Sequence, residues 1–171
     1  MIDKNRVEYM KKLVVFYSYD GNTRFISNSI AKSIKADVLE LKPINEMNSK
    51  GFLKYFWGGK KVLFKEKPKL QPFDKNPEEY DIIFIGTPVW AFTYAPALRT
   101  FFSNVVLKDK KIAVFCCHEG SMKKTLTNMI EKVSDNEIVG MNDFLNPLKN
   151  NKEQNKAKAM KWSVDSIKQV S

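Results

Sequence analysis

Cysteine and histidine are nearly absent from this chain of 171 residues, which has 2 cysteines and 1 histidine. Cys116 and Cys117 are adjacent, so they bridge each other only with strain, and no further thiol exists for a disulfide framework or a thiolate metal cluster. His118 stands alone, which argues against a histidine-ligated metal centre. No Gly-x-Ser-x-Gly elbow accompanies it, so a hydrolase of that type is excluded. Long apolar runs are missing too: none approaches the roughly 20 residues that span a bilayer. The stretch from Met1 to Lys12 is polar and charged and lacks the apolar centre of a signal peptide. A cytoplasmic protein with no membrane association is the resulting expectation.

Positive charge, in contrast, is abundant: the formal net charge is +10. Seven lysines and one acid, Glu66, occupy Lys50 to Lys69, and six lysines face Glu153 and Asp165 between Lys149 and Ser171. No arginine cluster accompanies them, and arginine is the usual reader of bases, so the pattern argues against nucleic acid. It reads as a lysine-coated surface or as a docking face for an acidic partner protein.

The hydrophobic content of 43% suits a globular domain with a real core. Apolar runs alternate with helical patterns. Leu13–Ser18, Asp81–Gly86 and Lys111–Cys117 read as fully buried strands. Asp37–Leu41 alternates polar with apolar and reads as a half-exposed strand, and Glu137–Phe144 as a last one. Helices are expected over Asn22–Lys35, Tyr94–Asn104, Ser121–Val133 and Asn155–Val170. Continuous apolar strands separated by helices imply an α/β fold, a doubly wound, five-stranded parallel sheet of order 2-1-3-4-5 with helices on both faces. The expected division is an N-terminal extension, residues 1–11, and one domain, residues 12–171. Within the long connection from Pro43 to Tyr80, the aromatic and basic centre Gly51–Phe64 reads as a cover helix, or as an irregular helix whose aromatics meet a partner or a second subunit.

In the order 2-1-3-4-5 the ligand crevice lies at the carboxyl ends of strands 1 and 3. Three loops should meet there. The first, Ser18-Tyr19-Asp20-Gly21-Asn22-Thr23, joins a strand to a helix N-terminus. Free N–H groups and the positive helix end make that junction an anion site. It has no lysine in the Walker position and no Gly-x-Gly-x-x-Gly, which leaves a terminal phosphate held mainly by neutral donors. The second, Gly86-Thr87-Pro88-Val89-Trp90-Ala91-Phe92-Thr93-Tyr94, carries an indole at a strand end, suited either to stacking on a planar heterocycle or to plain packing. Tyr94 is a second candidate there. The third, Cys116-Cys117-His118-Glu119-Gly120-Ser121, offers backbone N–H groups around Gly120 to ring heteroatoms.

A phosphate on the first loop and a tricyclic ring between the other two describe FMN. At these residues the chain resembles the flavodoxin family over nearly its whole length. Ser18–Thr23 resembles that family's phosphate loop, Gly86–Trp90 its ring-contacting loop, and Cys117–Ser121 falls where its third loop lies. The resemblance implies FMN binding by Ser18, Tyr19, Asp20, Gly21, Asn22, Thr23, Thr87, Pro88, Val89, Trp90, Ala91, Tyr94, Cys117, His118, Glu119 and Gly120, with electron transfer as the function. An NAD(P)H-dependent flavin or quinone reductase on the same fold, its cavity completed by a second subunit in a homodimer, and a flavin-free interaction module are the alternatives. Two departures stand out. Asp20 occupies a position where the family usually has threonine, and a carboxylate near a phosphate is repulsive unless it points outward or accepts loop N–H bonds. The basic charge contrasts with the acidity typical of flavodoxins, so a less reducing flavin is expected.

Overall fold

The structure is a computed structural model that describes residues 10–44 and 67–169. The aromatic, basic stretch from residue 50 to 66 lies outside the described residues, as do residues 1–9 of the expected extension. In chain order the elements are β1 (Lys12–Phe16), α1 (Asn22–Ile34), β2 (Asp37–Glu40), a 3-10 turn (Pro77–Glu79), β3 (Ile82–Trp90), β4 (Thr93–Tyr94), α2 (Pro96–Asn104), β5 (Lys111–His118), α3 (Thr125–Lys132), β6 (Glu137–Leu145) and α4 (Lys152–Lys168).

Five strands run parallel in the order β2-β1-β3-β5-β6, with β4 paired antiparallel to β3. Leaving out that short β4, this is the doubly wound order 2-1-3-4-5. The alternation of each strand divides the core in two. Leu13, Val15, Ile83, Ile85 and Val114 pack against Leu98 and Phe101 of α2 and Leu126 and Met129 of α3. Val14, Phe16, Phe84, Ala113 and Phe115 pack against Ile26 and Ile30 of α1 and Ala159 and Ile167 of α4. Burial on both faces is why these strands read as unbroken apolar runs.

The largest departure from expectation lies after Gly86. The spacing predicts a loop from there, yet β3 continues through Trp90, with Thr87 and Pro88 opposite Cys116 and Cys117. Proline is tolerated because β1 ends its pairing opposite Gly86. The Gly86 carbonyl accepts from Tyr17 N–H on the β1 side. Two residues on, the N–H that proline lacks would point past the end of that neighbour. The chain then reverses over two residues, pairing Val89 with Tyr94 and Trp90 with Thr93. Ala91 (φ 45°) and Phe92 (φ 70°) both lie in the left-handed region, the pattern of a type I′ turn that normally carries Asn-Gly. Tyr94 therefore sits in β4, and α2 starts at Pro96, whose missing N–H costs nothing in a first turn. Helix α3 starts at Thr125, four residues later than its apolar spacing suggests, and α4 at Lys152, three residues earlier.

Gly86 is required by packing. A Cβ there would lie 2.2 Å from Phe115 Cζ, and the Phe115 ring is fully buried against Phe144 and Trp162. Gly120 has open space at the same position. Gly86→Ala should therefore lower stability by about 1–3 kcal/mol in urea unfolding, the usual cost of overpacking. Gly120→Ala should leave the midpoint unchanged; equal midpoints for the two variants would contradict this packing.

Candidate functional site

The carboxyl ends of β1, β3 and β5 form one edge of the sheet, and the three predicted loops meet along it. The first begins where β1 gives way to Tyr17 and Ser18, both buried. Gly21, at φ 90°, caps α1 without any side-chain hydrogen bond from its own position, and no acidic residue occupies the first helical turn. A left-handed N-cap here asks for glycine.

The first N–H groups of α1 divide in an informative way. Asn22 N–H donates to Asp20 Oδ1 (3.0 Å) and Arg24 N–H to Ser18 Oγ (3.1 Å). Thr23 lies between them, and its Oγ1 is completely buried with no nitrogen or oxygen partner among the described residues. The Cys117 sulfur lies behind it as a weak acceptor, and the Thr23 hydroxyl donating to it offsets part of the rise that burial gives the thiol. Asp20 thus turns inward onto the loop, and Asn22 Nδ2 adds a second bond to Asp20 Oδ2 at 2.6 Å. Asn22 Oδ1 accepts from Leu148 N–H (3.0 Å), which draws the loop after β6 over Gly21.

The second loop reaches the first through its indole. Half-buried Trp90 stands edge-on to Tyr17 (centroids 5.5 Å, 83°) and to Tyr19 (5.9 Å, 77°). Its neighbours are more structural. Thr87 Oγ1 accepts from Ala95 N–H (3.0 Å) and donates to the Pro88 carbonyl (2.9 Å), so it fixes the start of α2. Pro88 is buried, and Val89 and Tyr94 are occupied in the hairpin ladder. Ala91 and exposed Phe92 form the tip.

The third loop contributes unequally. Cys117 belongs to β5, in the core beneath α1. His118 ends the strand with Nε2 at 2.9 Å from Asp143 Oδ2 on β6, and its Nδ1 is buried with no partner. Its carbonyl accepts from Asn146 N–H (2.8 Å). Glu119 and Gly120 are exposed beyond it. Sequence reasoning missed Asp143, Asn146 and Leu148, all on β6 or the loop after it; that strand pattern carries no local motif. Among the described residues no group of His, Cys, Asp or Glu is arranged to hold a metal ion, and no helix is long and apolar enough to cross a membrane.

Such an edge brings a helix start, where anions are favoured, and a buried hydroxyl without a nitrogen or oxygen partner together with an indole and two phenols, and with a buried imidazole nitrogen on a strand of the same edge. Comparison with known proteins agrees with the architecture. A family model described as flavodoxin matches residues 11–163. A flavoprotein in complex with FMN from Lactobacillus acidophilus is 22% identical, with a TM-score of 0.64 over 90% of this chain and 99% of that one. A candidate flavoprotein from Bacteroides eggerthii is 21% identical, with a TM-score of 0.71 over 90% and 95%. Oxidised flavodoxin 2 from Bacillus cereus is 20% identical, with a TM-score of 0.61 over 93% and 99%.

Burial governs the two thiols. It pushes Cys116 up to about 12 and Cys117 well above the usual thiol value. Both stay protonated in the folded chain, so iodoacetamide at pH 8 should leave them unmodified until the protein is unfolded. This contribution to stability is complete below the unfolded thiol value of 9.0 and is lost as pH rises from there towards about 12. Alkylation of the native chain at the unfolded rate would contradict the assignment.

Proposed function

This chain belongs to the flavodoxin family, and from that premise we propose that it binds FMN at the edge just described and serves in electron transfer. The observation that carries the reading is the meeting of an open helix start with an indole. Thr23, buried and with no nitrogen or oxygen partner for its hydroxyl, stands at that start. Trp90, held edge-on by Tyr17 and Tyr19, lies alongside on the neighbouring strand.

Thr23, Gly21 and Ser18 would hold the phosphate. Trp90 and Tyr19 would flank the ring, and the backbone from His118 to Gly120 would meet its polar edge. The flavin supplies reversible electron uptake, and the chain supplies binding, orientation and electrostatics. Asn22 acts indirectly in this scheme, because both ends of its amide are already bonded; it shapes the loop. Asp20 opposes binding. Its carboxylate already sits on Asn22 N–H, and a phosphate on the same loop feels a repulsion on the order of 1 kcal/mol. The net charge of +10 favours an acidic redox partner, with association that weakens as salt is added.

The test is a flavin-fluorescence titration of the FMN-free chain. The wild-type protein should quench FMN saturably. Thr23→Val should weaken binding about tenfold, or ~1.4 kcal/mol, without changing the unfolding midpoint. Asp20→Asn should tighten it by a similar factor. Unchanged affinity in both variants would contradict the phosphate assignment. The FMN-loaded protein should not consume NAD(P)H without an added reductase; turnover on its own would replace the carrier with a reductase.

A further inference from the structure

An open cleft of about 670 Å³ lies beside the β3–β4 hairpin, bordered by α2 and α3. The proposed phosphate loop and the Tyr17–Trp90–Tyr19 cluster contribute nothing to its walls, which share with the ring loop only Ala91, Phe92, Thr93 and Tyr94. Lys67, Arg99, Lys124 and Lys132 line it, against one acid, Glu131. A further lysine, Lys123, stands at the rim with Nζ 5.8 Å from the centroid of the Phe92 ring. Four cations facing one space repel each other, and an anion relieves that repulsion.

A second observation is independent of the charge count. Arg99 Nε is buried and has no hydrogen-bond partner among the described residues. The contrast with Arg24 is direct, since its guanidinium makes a two-pronged pair with Glu40, Nε at 3.1 Å from both carboxylate oxygens. A buried guanidinium N–H without an acceptor is costly to keep, and its planar fork matches phosphate oxygens. Tyr94 lines the same cleft, and burial raises its phenol so that it remains a neutral O–H donor, with the nearby Arg99 charge countering only part of that rise.

The apolar part of the wall is aromatic. Phe92 is 63% exposed at the strained hairpin tip, and Phe102 lies on α2. Cationic and aromatic walls in a space of this size suit a small molecule with both a phosphate and a flat ring. From the unpartnered Arg99 Nε–H, the surrounding lysines and the two phenylalanines, we infer that this cleft binds a phosphate-bearing small molecule, separately from the proposed flavin site.

The inference is tested without flavin, so its outcome is independent of FMN binding. The full chain is titrated with pyrophosphate in one arm and with ADP in the other, by calorimetry and by the Arg99 Nε–H signal in proton–nitrogen NMR spectra. Saturable binding with a shift of that signal is expected. Arg99→Gln and the exposed-site variant Lys132→Gln should each weaken it about tenfold. Lys108→Gln, which removes the same charge at the opposite edge of the sheet, should change nothing. Tighter binding of ADP than of pyrophosphate would assign the ligand to the nucleotides, and equal binding to free phosphates; both support the site. No saturable binding in either arm, an unmoved Arg99 signal, or equal weakening by Lys108→Gln would overturn it.

Discussion

The amide of Asn22 holds the carboxyl edge of the sheet together. Its Nδ2 and its backbone N–H both reach the Asp20 carboxylate, and its Oδ1 accepts from Leu148 N–H, 126 residues later in the chain. The loop after β6 is thereby drawn over Gly21, where a Cβ would already sit 3.5 Å from Leu148 Cδ1. That same loop is tied to β5, because Asn146 N–H donates to the His118 carbonyl. Buried amides bonded at both ends contribute modestly in net terms but are expensive to leave half-made. The loop after β6 takes its place at this edge from these two bonds.

The geometry has an electrostatic consequence. The positive start of α1 attracts an anion, and in the free chain the Asp20 carboxylate fills part of that role from within the loop. A built-in anion stabilises the helix start and competes with an external one. The shape of the loop is thus set in advance, and one of its donors, Asn22 N–H, is already occupied. Thr23 is completely buried and its hydroxyl has no nitrogen or oxygen partner, which is the group the proposed phosphate site would use. The His118–Asp143 pair repeats the pattern on β5 and β6: one imidazole nitrogen is fixed by a carboxylate and the other left without a partner.

Much of the fold was legible because burial writes itself into periodicity. Val14, Phe16, Ile83, Ile85 and Val114 read as strand core and are completely or almost completely buried. Ile26, Ile30 and Ile34 recur at helical spacing and face the sheet. The junction at Ser18–Thr23 was legible because a strand, a small polar turn and a helix start leave a local mark. What failed was non-local. Nothing near Thr87 announces that β5 supplies a partner long enough to extend β3 to Trp90. Nothing near Ala91 and Phe92 marks a type I′ turn, since neither residue has the preference for positive φ that asparagine and glycine have. Their conformation is imposed by the β4 ladder and by Asn128 Nδ2, which donates to Thr93 Oγ1 from α3 at 2.9 Å. Asp143 and Leu148 were invisible because their roles come from contacts across the sheet edge. The inward turn of Asp20 was one of two orientations the sequence allowed, and the Asn22 side chain decides between them.

Strain at the hairpin tip, of roughly 1–2 kcal/mol for each residue held in the left-handed region, lies where β3 carries Trp90 beside Tyr17 and Tyr19. Two ordinary elements, a helix start and a strand end, acquire chemical meaning only from their adjacency. The measurement that tests this most directly is a proton–nitrogen NMR spectrum of the full chain with and without FMN, combined with nuclear Overhauser contacts to the flavin methyl groups. The account predicts that the Thr23 amide moves strongly on addition of FMN and that the Trp90 indole shows contacts to the ring. A Thr23 amide that stays in place while FMN binds elsewhere, or a bound ring with no contact to Trp90, would contradict it.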